Sequence, residues 1–335
     1  MRVFINGFGR IGRSVLRAWA LDIVGRVPRH WADVQIVGIN DIAAAEMCAY
    51  LFEFDSVFGP WGGSVSLHEG ALVVNGTAIP LTQAPDLSAL DLSGVDLVME
   101  CTGRADTRAV AMRGIEGGAR RVLVSGPSAA AQYTVVLGAN EAGLDAALRT
   151  GAKVLSNASC TTNALAPLVR LLDQEFGIKT GWMTTIHCYT GSQPTTDAPS
   201  VDYARSRAAA LSMVPTTTSA QRLLDVVLPH LAGKIEGAAV RVPVASVSAV
   251  DLTVMLEKDC DVAAVNALFA GQKTVIGSTD RALVSSDLRA RPESIVMALP
   301  ETRKTAGGML RAFGWYDNEW GFSNRMLDVA RLLRD

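Results

Sequence analysis

The stretch RVFINGFGRIGRSVLR at positions 2–17 constrains the fold more than any other part of this chain. An apolar run stops at Asn6, glycines follow at Gly7, Gly9 and Gly12, and a helical pattern opens beside them. Glycines in a G-x-G-x-x-G pattern are weak evidence alone; between a strand and a helix they mark one particular turn. They permit a tight reversal and close approach of backbone to a pyrophosphate, which the helix N-terminus attracts.

The first 160 residues repeat that alternation. RVFIN (2–6), VQIVGIN (34–40), VDLVMECT (95–102), RVLVSGP (121–127), TVVLGAN (134–140) and KVLSNAS (153–159) are short and nearly continuously apolar, as strands buried on both faces of a parallel sheet should be. Helical stretches at 10–23 and 105–116 lie between them. The pattern predicts a doubly wound α/β dinucleotide-binding (Rossmann) domain. Asp41 ends the second strand, where a carboxylate accepts hydrogen bonds from ribose hydroxyls and repels a 2′-phosphate, favouring NAD over NADP. Its distance from Gly12 exceeds the usual ~20 residues, and the insert VGRVPRHWAD accounts for the excess. The alternative is a plain strand–helix turn with a surface aspartate.

Beyond residue 160 the texture changes. A helix of about 17 residues would place Leu165, Leu168, Val169, Leu172 and Phe176 on one face. Longer strands follow at 181–190, 238–256 and 311–317, separated by a Ser/Thr/Ala-rich segment at 191–222 with little periodicity. Few helices between long strands predict an α+β catalytic domain with a mixed or antiparallel sheet. The expected division is 1–158, completed by a C-terminal helix at 318–335, and 159–317.

The segment SNASCTTN places Cys160 among small polar residues where that helix begins. A helix N-terminus offers unpaired N–H groups and the positive end of the macrodipole, both of which lower a thiol pKa. A base would complete a nucleophile. His187, followed by CYTGSQPTT, is either that base or a satisfied core histidine. His30, His68 and His230 read as surface or capping residues. Cys48, Cys101 and Cys260 sit in apolar patterns as small hydrophobes, and Cys188, facing away from its neighbour His187, reads as a bystander. Arg205, Arg207, Thr218, Ser219 and Arg241 are donors suited to phosphate, with structural or interface salt bridges an equal alternative for Arg207.

The totals narrow the class. With 335 residues, 49% hydrophobic, and a net charge of −2, a soluble protein of about two domains is expected. An acidic balance predicts attraction to neither nucleic acid nor anionic membrane. Five cysteines without paired spacing suggest reduced thiols, with no disulfide framework and no metal site. No signal-peptide pattern and no 18-residue apolar run occur, so the expected compartment is the cytoplasm.

Together NGFGRIGR, SNASCTTN, TTIHCYT, RAAALSMVPTTT, VRVP and WYDNEWGFSNRMLD closely resemble phosphorylating glyceraldehyde-3-phosphate dehydrogenases, in order and across essentially the whole chain. The resemblance implies Cys160 as nucleophile and His187 as its base. It implies Thr190 and Arg241 for the substrate phosphate, and Ser159, Thr161, Arg205 and Thr218, with Ser219 beside it, for inorganic phosphate. Gly7, Gly9, Arg10, Ile11, Gly12 and Asp41 would contact NAD, Thr102, Gly103 and Ser125 would line its cleft, and Asn318 would hold the nicotinamide carboxamide. The implied reaction is NAD-dependent oxidation and phosphorylation of an aldehyde phosphate by a homotetramer, with 191–222 at a subunit interface. A water-dependent erythrose-4-phosphate dehydrogenase and an inactive NAD-binding regulator are the competing expectations. Departures from the family pattern are Ala164, Gly191-Ser192, Ser219, TQAPD at 82–86 and Phe322.

Overall fold

The first strand, β1 (Arg2–Asn6), is buried from Val3 onward, and its neighbours explain why so short a run suffices. In the computed structural model, which describes residues 1–23 and 31–334, it pairs in parallel with β2 (Gln35–Asn40) on one side and with Leu97–Glu100 on the other. His30, expected at the surface, lies outside the described residues.

The chain forms two compact units. The first contains 1–135, 141–158 and the chain from Phe322 onward. Its remaining strands are β3 (Val65–His68), β4 (Ala71–Val74), β5 (Thr77–Thr82), β6 (Leu97–Glu100), β7 (Arg121–Val124), β8 (Tyr133–Thr134) and β9 (Val154–Ser156). Among the described residues they form one sheet in the order β3-β4-β5-β2-β1-β6-β7-β9-β8. Pairings from β5 through β9 to β8 are parallel. Val3, Ile5, Ile39, Leu97, Leu123 and Leu155 are wholly buried, as both-face coverage requires. The helices are α1 (Arg10–Ile23), α2 (Ala45–Glu53), α3 (Arg108–Glu116) and α4 (Leu144–Arg149).

Two features depart from the expected strands. The run 134–140 contributes only Thr134 to the sheet. Beyond it Asn140 Oδ1 accepts from Val136 N at 2.8 Å and Gly138 takes φ 83°, so the chain turns away. The β3–β5 meander was not expected, although Asn75-Gly76, with φ 50° and 82°, carries the hairpin signature in its sequence.

The second unit contains 136–140 and 159–321. It begins with α5 (Cys160–Phe176), then β10 (Ile178–Cys188), β11 (Val214–Thr216), α6 (Ala220–Val227), β12 (Ile235–Val242), β13 (Ser248–Leu256), α7 (Val262–Ala270), β14 (Ile276–Thr279), β15 (Ile295–Ala298), β16 (Arg303–Lys304) and β17 (Met309–Tyr316). The last helix, α8 (Trp320–Leu332), continues into the first unit's residues. The strand order is β11-β12-β10-β13-β17-β15-β14, with β16 on β17, and the pairings are mixed.

The expected single run at 238–256 is two strands. Between them Val247 adopts φ 67°, costly for a β-branched residue, and the chain reverses there. The reversal gathers one edge of the sheet: His187 lies opposite Arg241, Ile186 opposite Ala249, and Ser248 opposite Tyr316.

Candidate active site

Cys160 is the first residue of α5, and local chemistry fixes that start. Ala158 takes φ 55°, and Ser159 caps the helix, its Oγ accepting from Thr162 N at 3.0 Å. The predicted apolar face is buried at every position, Leu165 and Leu168 completely. Such packing holds the helix end rigidly, and the thiol with it.

The pair suggested by sequence meets in space. Cys160 Sγ lies 3.6 Å from His187 Nε2. On the other side of the ring, Nδ1 is 2.7 Å from the Cys188 carbonyl, which also accepts from Arg241 Nη1 at 2.9 Å. Nδ1 also lies 2.8 Å from Arg241 Nη1. The guanidinium contact calls for an Nδ1 lone pair and the carbonyl contact for Nδ1–H, so each selects a different tautomer; only the one with Nδ1–H leaves the Nε2 lone pair facing sulfur. That tautomer suits a base.

Electrostatics divide the pair. Burial, assisted by the Arg241 charge, holds His187 down at about 4. Burial pushes the Cys160 thiol up; Arg241, the Thr161 hydroxyl and N–H, and its own N–H pull against it. This corrects the expectation of a depressed thiol: the helix N-terminus acts in the expected direction, but desolvation outweighs it. The thiol and imidazole are therefore neutral at rest, an arrangement in which an imidazole can take a proton from sulfur.

The remaining polar residues fall into three groups. Thr161 Oγ1 contacts Tyr316 OH at 2.9 Å, and that hydroxyl reaches Thr185 Oγ1 at 2.8 Å. Arg205 Nε donates to Thr216 Oγ1 at 3.0 Å, and its charge acts on both His187 and Arg241. Thr218 Oγ1 accepts from Ala220 N at 3.1 Å, Ser219 leads into α6 without a side-chain cap, and Thr190 Oγ1 pairs with Ser192 Oγ at 3.0 Å. Those hydroxyls bind locally and do not touch the Cys160–His187 pair. Arg207 pairs with Asp197 at 2.7 Å on the surface, its salt-bridge alternative.

Cys188, expected as a bystander, makes a contact of its own. Strand alternation does turn it away from His187, and its Sγ lies 3.1 Å from Asn318 Oδ1. Tyr316 and Ser248 were not singled out from sequence, and Cys188 was not linked to Asn318, because their contacts join residues far apart in the chain. The WYD run before Asn318 was the available hint for Tyr316.

In the first unit, the ends of β2, β1 and β6 carry a polar chain. Asn40 Nδ2 donates to Asn6 Oδ1 at 2.9 Å, Asn6 Nδ2 donates to the buried Glu100 carboxylate at 2.5 Å, and Thr102 N donates to that carboxylate at 3.0 Å. Glu100 was not singled out from sequence, though a carboxylate ending an apolar strand was the signal. A cavity of about 420 Å³ opens at these strand ends, lined by Gly7, Gly9, Asp41 and Thr102 and by apolar Ile42, Pro85, Leu87 and Val110. The carboxyl end of a parallel sheet is where such folds take ligands.

The glycines fit a dinucleotide cradle. A Cβ on Gly7 would sit 2.7 Å from the Cys101 carbonyl carbon, and one on Gly12 would sit 2.1 Å from Gly7 O, whereas Gly9 faces open space. Gly103 takes φ 71°. Asp41 accepts from Phe8 N at 2.6 Å and Ala43 N at 2.9 Å, leaving lone pairs for ribose hydroxyls. Arg10 opens α1 paired to Asp55, with Ile11 beside it half-buried. Ser125 bonds the Cys101 thiol, which burial pushes up to about 12. Among the described residues no cluster suits a metal ion, and no helix is long and apolar enough to cross a membrane.

A glycine turn at the carboxyl edge of a parallel sheet, and a partly buried thiol facing an imidazole on a mixed sheet, are the features of a dinucleotide-dependent oxidoreductase. Comparison with known proteins specifies the class. The glyceraldehyde 3-phosphate dehydrogenase NAD binding domain profile matches residues 1–108, and that family's C-terminal domain profile matches residues 159–318. Glyceraldehyde-3-phosphate dehydrogenases of Cereibacter sphaeroides and Xanthobacter flavus are 44% and 43% identical, each over 98% of this chain and 97% of the relative. Glyceraldehyde-3-phosphate dehydrogenase 1 of Bacillus cereus is 42% identical over the same shares. The chain belongs to the glyceraldehyde-3-phosphate dehydrogenase family, whose members are NAD-dependent oxidoreductases.

Proposed function

We propose that the protein oxidises glyceraldehyde 3-phosphate and transfers the acyl group to inorganic phosphate, giving 1,3-bisphosphoglycerate reversibly. The observation that carries this reading is the 3.6 Å approach of Cys160 Sγ to His187 Nε2. As sulfur bonds to the aldehyde carbon, its proton passes to Nε2 and from there to the carbonyl oxygen, giving a thiohemiacetal on Cys160 and a neutral His187. His187 then accepts the hydroxyl proton as the C–H hydride departs, leaving a thioester. NAD, when bound, supplies the hydride acceptor. Phosphate attacks the thioester carbon, the C–S bond breaks, and sulfur recovers a proton from His187.

Arg241 and Thr190 bind the substrate phosphate, and Ser159, Thr161, Arg205, Thr218 and Ser219 bind inorganic phosphate. Asn318 holds the nicotinamide carboxamide, while Gly7, Gly9, Arg10, Ile11, Gly12, Asp41, Thr102, Gly103 and Ser125 serve the rest of NAD. The protein works as a cytoplasmic homotetramer. Val201 and Tyr203 in the irregular segment, with Leu211 and Met213 beyond them, are largely exposed in the single chain, as apolar residues awaiting a partner subunit would be.

The test is NADH formation from each aldehyde phosphate, with and without inorganic phosphate. Phosphate-dependent turnover of glyceraldehyde 3-phosphate is the expected result. Phosphate-independent oxidation of erythrose 4-phosphate would replace the substrate assignment, and no NADH with either would remove the catalytic reading.

A further inference from the structure

We propose that the Cys188 thiol and Ser248 hydroxyl set the rotamer of Asn318, so that its amide NH2 points toward the carboxamide of bound nicotinamide. The inference rests on the reading of Asn318 given above and makes Cys188 a positioning residue.

An asparagine amide has two nearly isosteric ends, and only its neighbours decide which way it faces. Here both neighbours on one side are donors. Cys188 Sγ lies 3.1 Å from Asn318 Oδ1, and Ser248 Oγ lies 3.4 Å from the same oxygen. Ser248 Oγ accepts from Cys188 N at 3.1 Å, which leaves its own hydrogen available for Asn318. Flipping the amide would set NH2 against S–H and O–H.

The three residues are almost fully buried, Cys188 and Ser248 at 1% exposure and Asn318 at 6%. Burial pushes the Cys188 thiol up to about 12, so it stays a protonated donor across the working range. With Oδ1 occupied, the Nδ2 hydrogens remain to complement a carboxamide oxygen. Register supplies the link to catalysis: His187 and Cys188 are successive residues of β10 and face opposite ways. One strand end therefore orients the base from one face and the carboxamide anchor from the other.

Dissociation constants for NAD and for ADP-ribose, which lacks the nicotinamide, test the proposal on the purified protein. Loss of one hydrogen bond predicts NAD binding about five-fold weaker in Cys188→Ala. ADP-ribose binding should stay unchanged, and Cys188→Ser should restore the preference for NAD. Cys188→Val fills the space without a donor and should behave as the alanine variant does, which keeps the test available if that variant folds poorly. An unchanged NAD-to-ADP-ribose ratio in Cys188→Ala or Cys188→Val, beside a collapsed ratio in Asn318→Ala, would overturn this inference while leaving the reading of Asn318 intact. An unchanged ratio in Asn318→Ala would overturn both.

Discussion

Replacing Tyr316 by phenylalanine removes one oxygen from the edge that carries Cys160, and the structure allows its cost to be worked out. Thr185 Oγ1 donates to the Ala249 carbonyl at 3.0 Å, so it can only accept from Tyr316 OH. Tyr316 oxygen is then left to accept from the Thr161 hydroxyl. The variant therefore breaks two hydrogen bonds in an almost fully buried position, after which the Thr161 hydroxyl can turn to the Cys160 sulfur. At roughly 1 kcal/mol for each net bond, the expected loss is about 2 kcal/mol. For a unit of this size that corresponds to a fall of about 4–8 °C in thermal midpoint. The assay is urea or thermal unfolding at one fixed protein concentration, combined with Thr161→Val in a double-mutant cycle. In the wild-type background Thr161→Val strips Tyr316 of a donor; in the phenylalanine background it has no tyrosine oxygen to abandon. The two changes should couple by about 1 kcal/mol. Additive effects, or a Tyr316→Phe variant as stable as the parent, would show that the hydroxyl chain is not holding this edge together.

The other expectations concern both units. Cys160→Ser should abolish NADH formation while NAD binding stays largely intact; joint loss of binding and fold would mean a structural cysteine has been taken for a reactive one. Gly12→Ala forces a Cβ to within 2.1 Å of Gly7 O; overpacking against backbone should cost about 1–3 kcal/mol and weaken NAD affinity at least ten-fold, measured by calorimetry. Burial raises the Asp55 carboxyl, but the Phe58 and Val57 N–H groups and the Arg10 guanidinium outweigh it and hold it below its usual 3.8. Its folded value being depressed, the stabilisation is present above that pH and disappears as pH falls through the lower folded value. Asp55→Asn should therefore be destabilising at pH 7 and progressively less so below about pH 3.8, and a penalty constant down to pH 2 would refute the assignment.

What the sequence alone determined is whatever depends on neighbours along the chain. The glycine turn after β1, the helix beginning at Cys160 and its buried face, and the apolar strands of a doubly wound sheet are all local patterns, and each is present in the fold. Even the missed β3–β5 meander was announced locally by Asn75-Gly76. Tertiary structure decided the rest. Cys160 and His187 stand 27 positions apart, and nothing in either segment states that they meet at 3.6 Å. That meeting requires β10 to be flanked by a parallel β12 and an antiparallel β13, with a reversal at Val247 between them. Likewise, periodicity showed that Cys188 turns away from His187, but only the packed sheet put Asn318 on the far side. The thiol pKa follows the same division: a helix N-terminus is visible in sequence, whereas the desolvation that outweighs it exists only once the chain has closed around the sulfur.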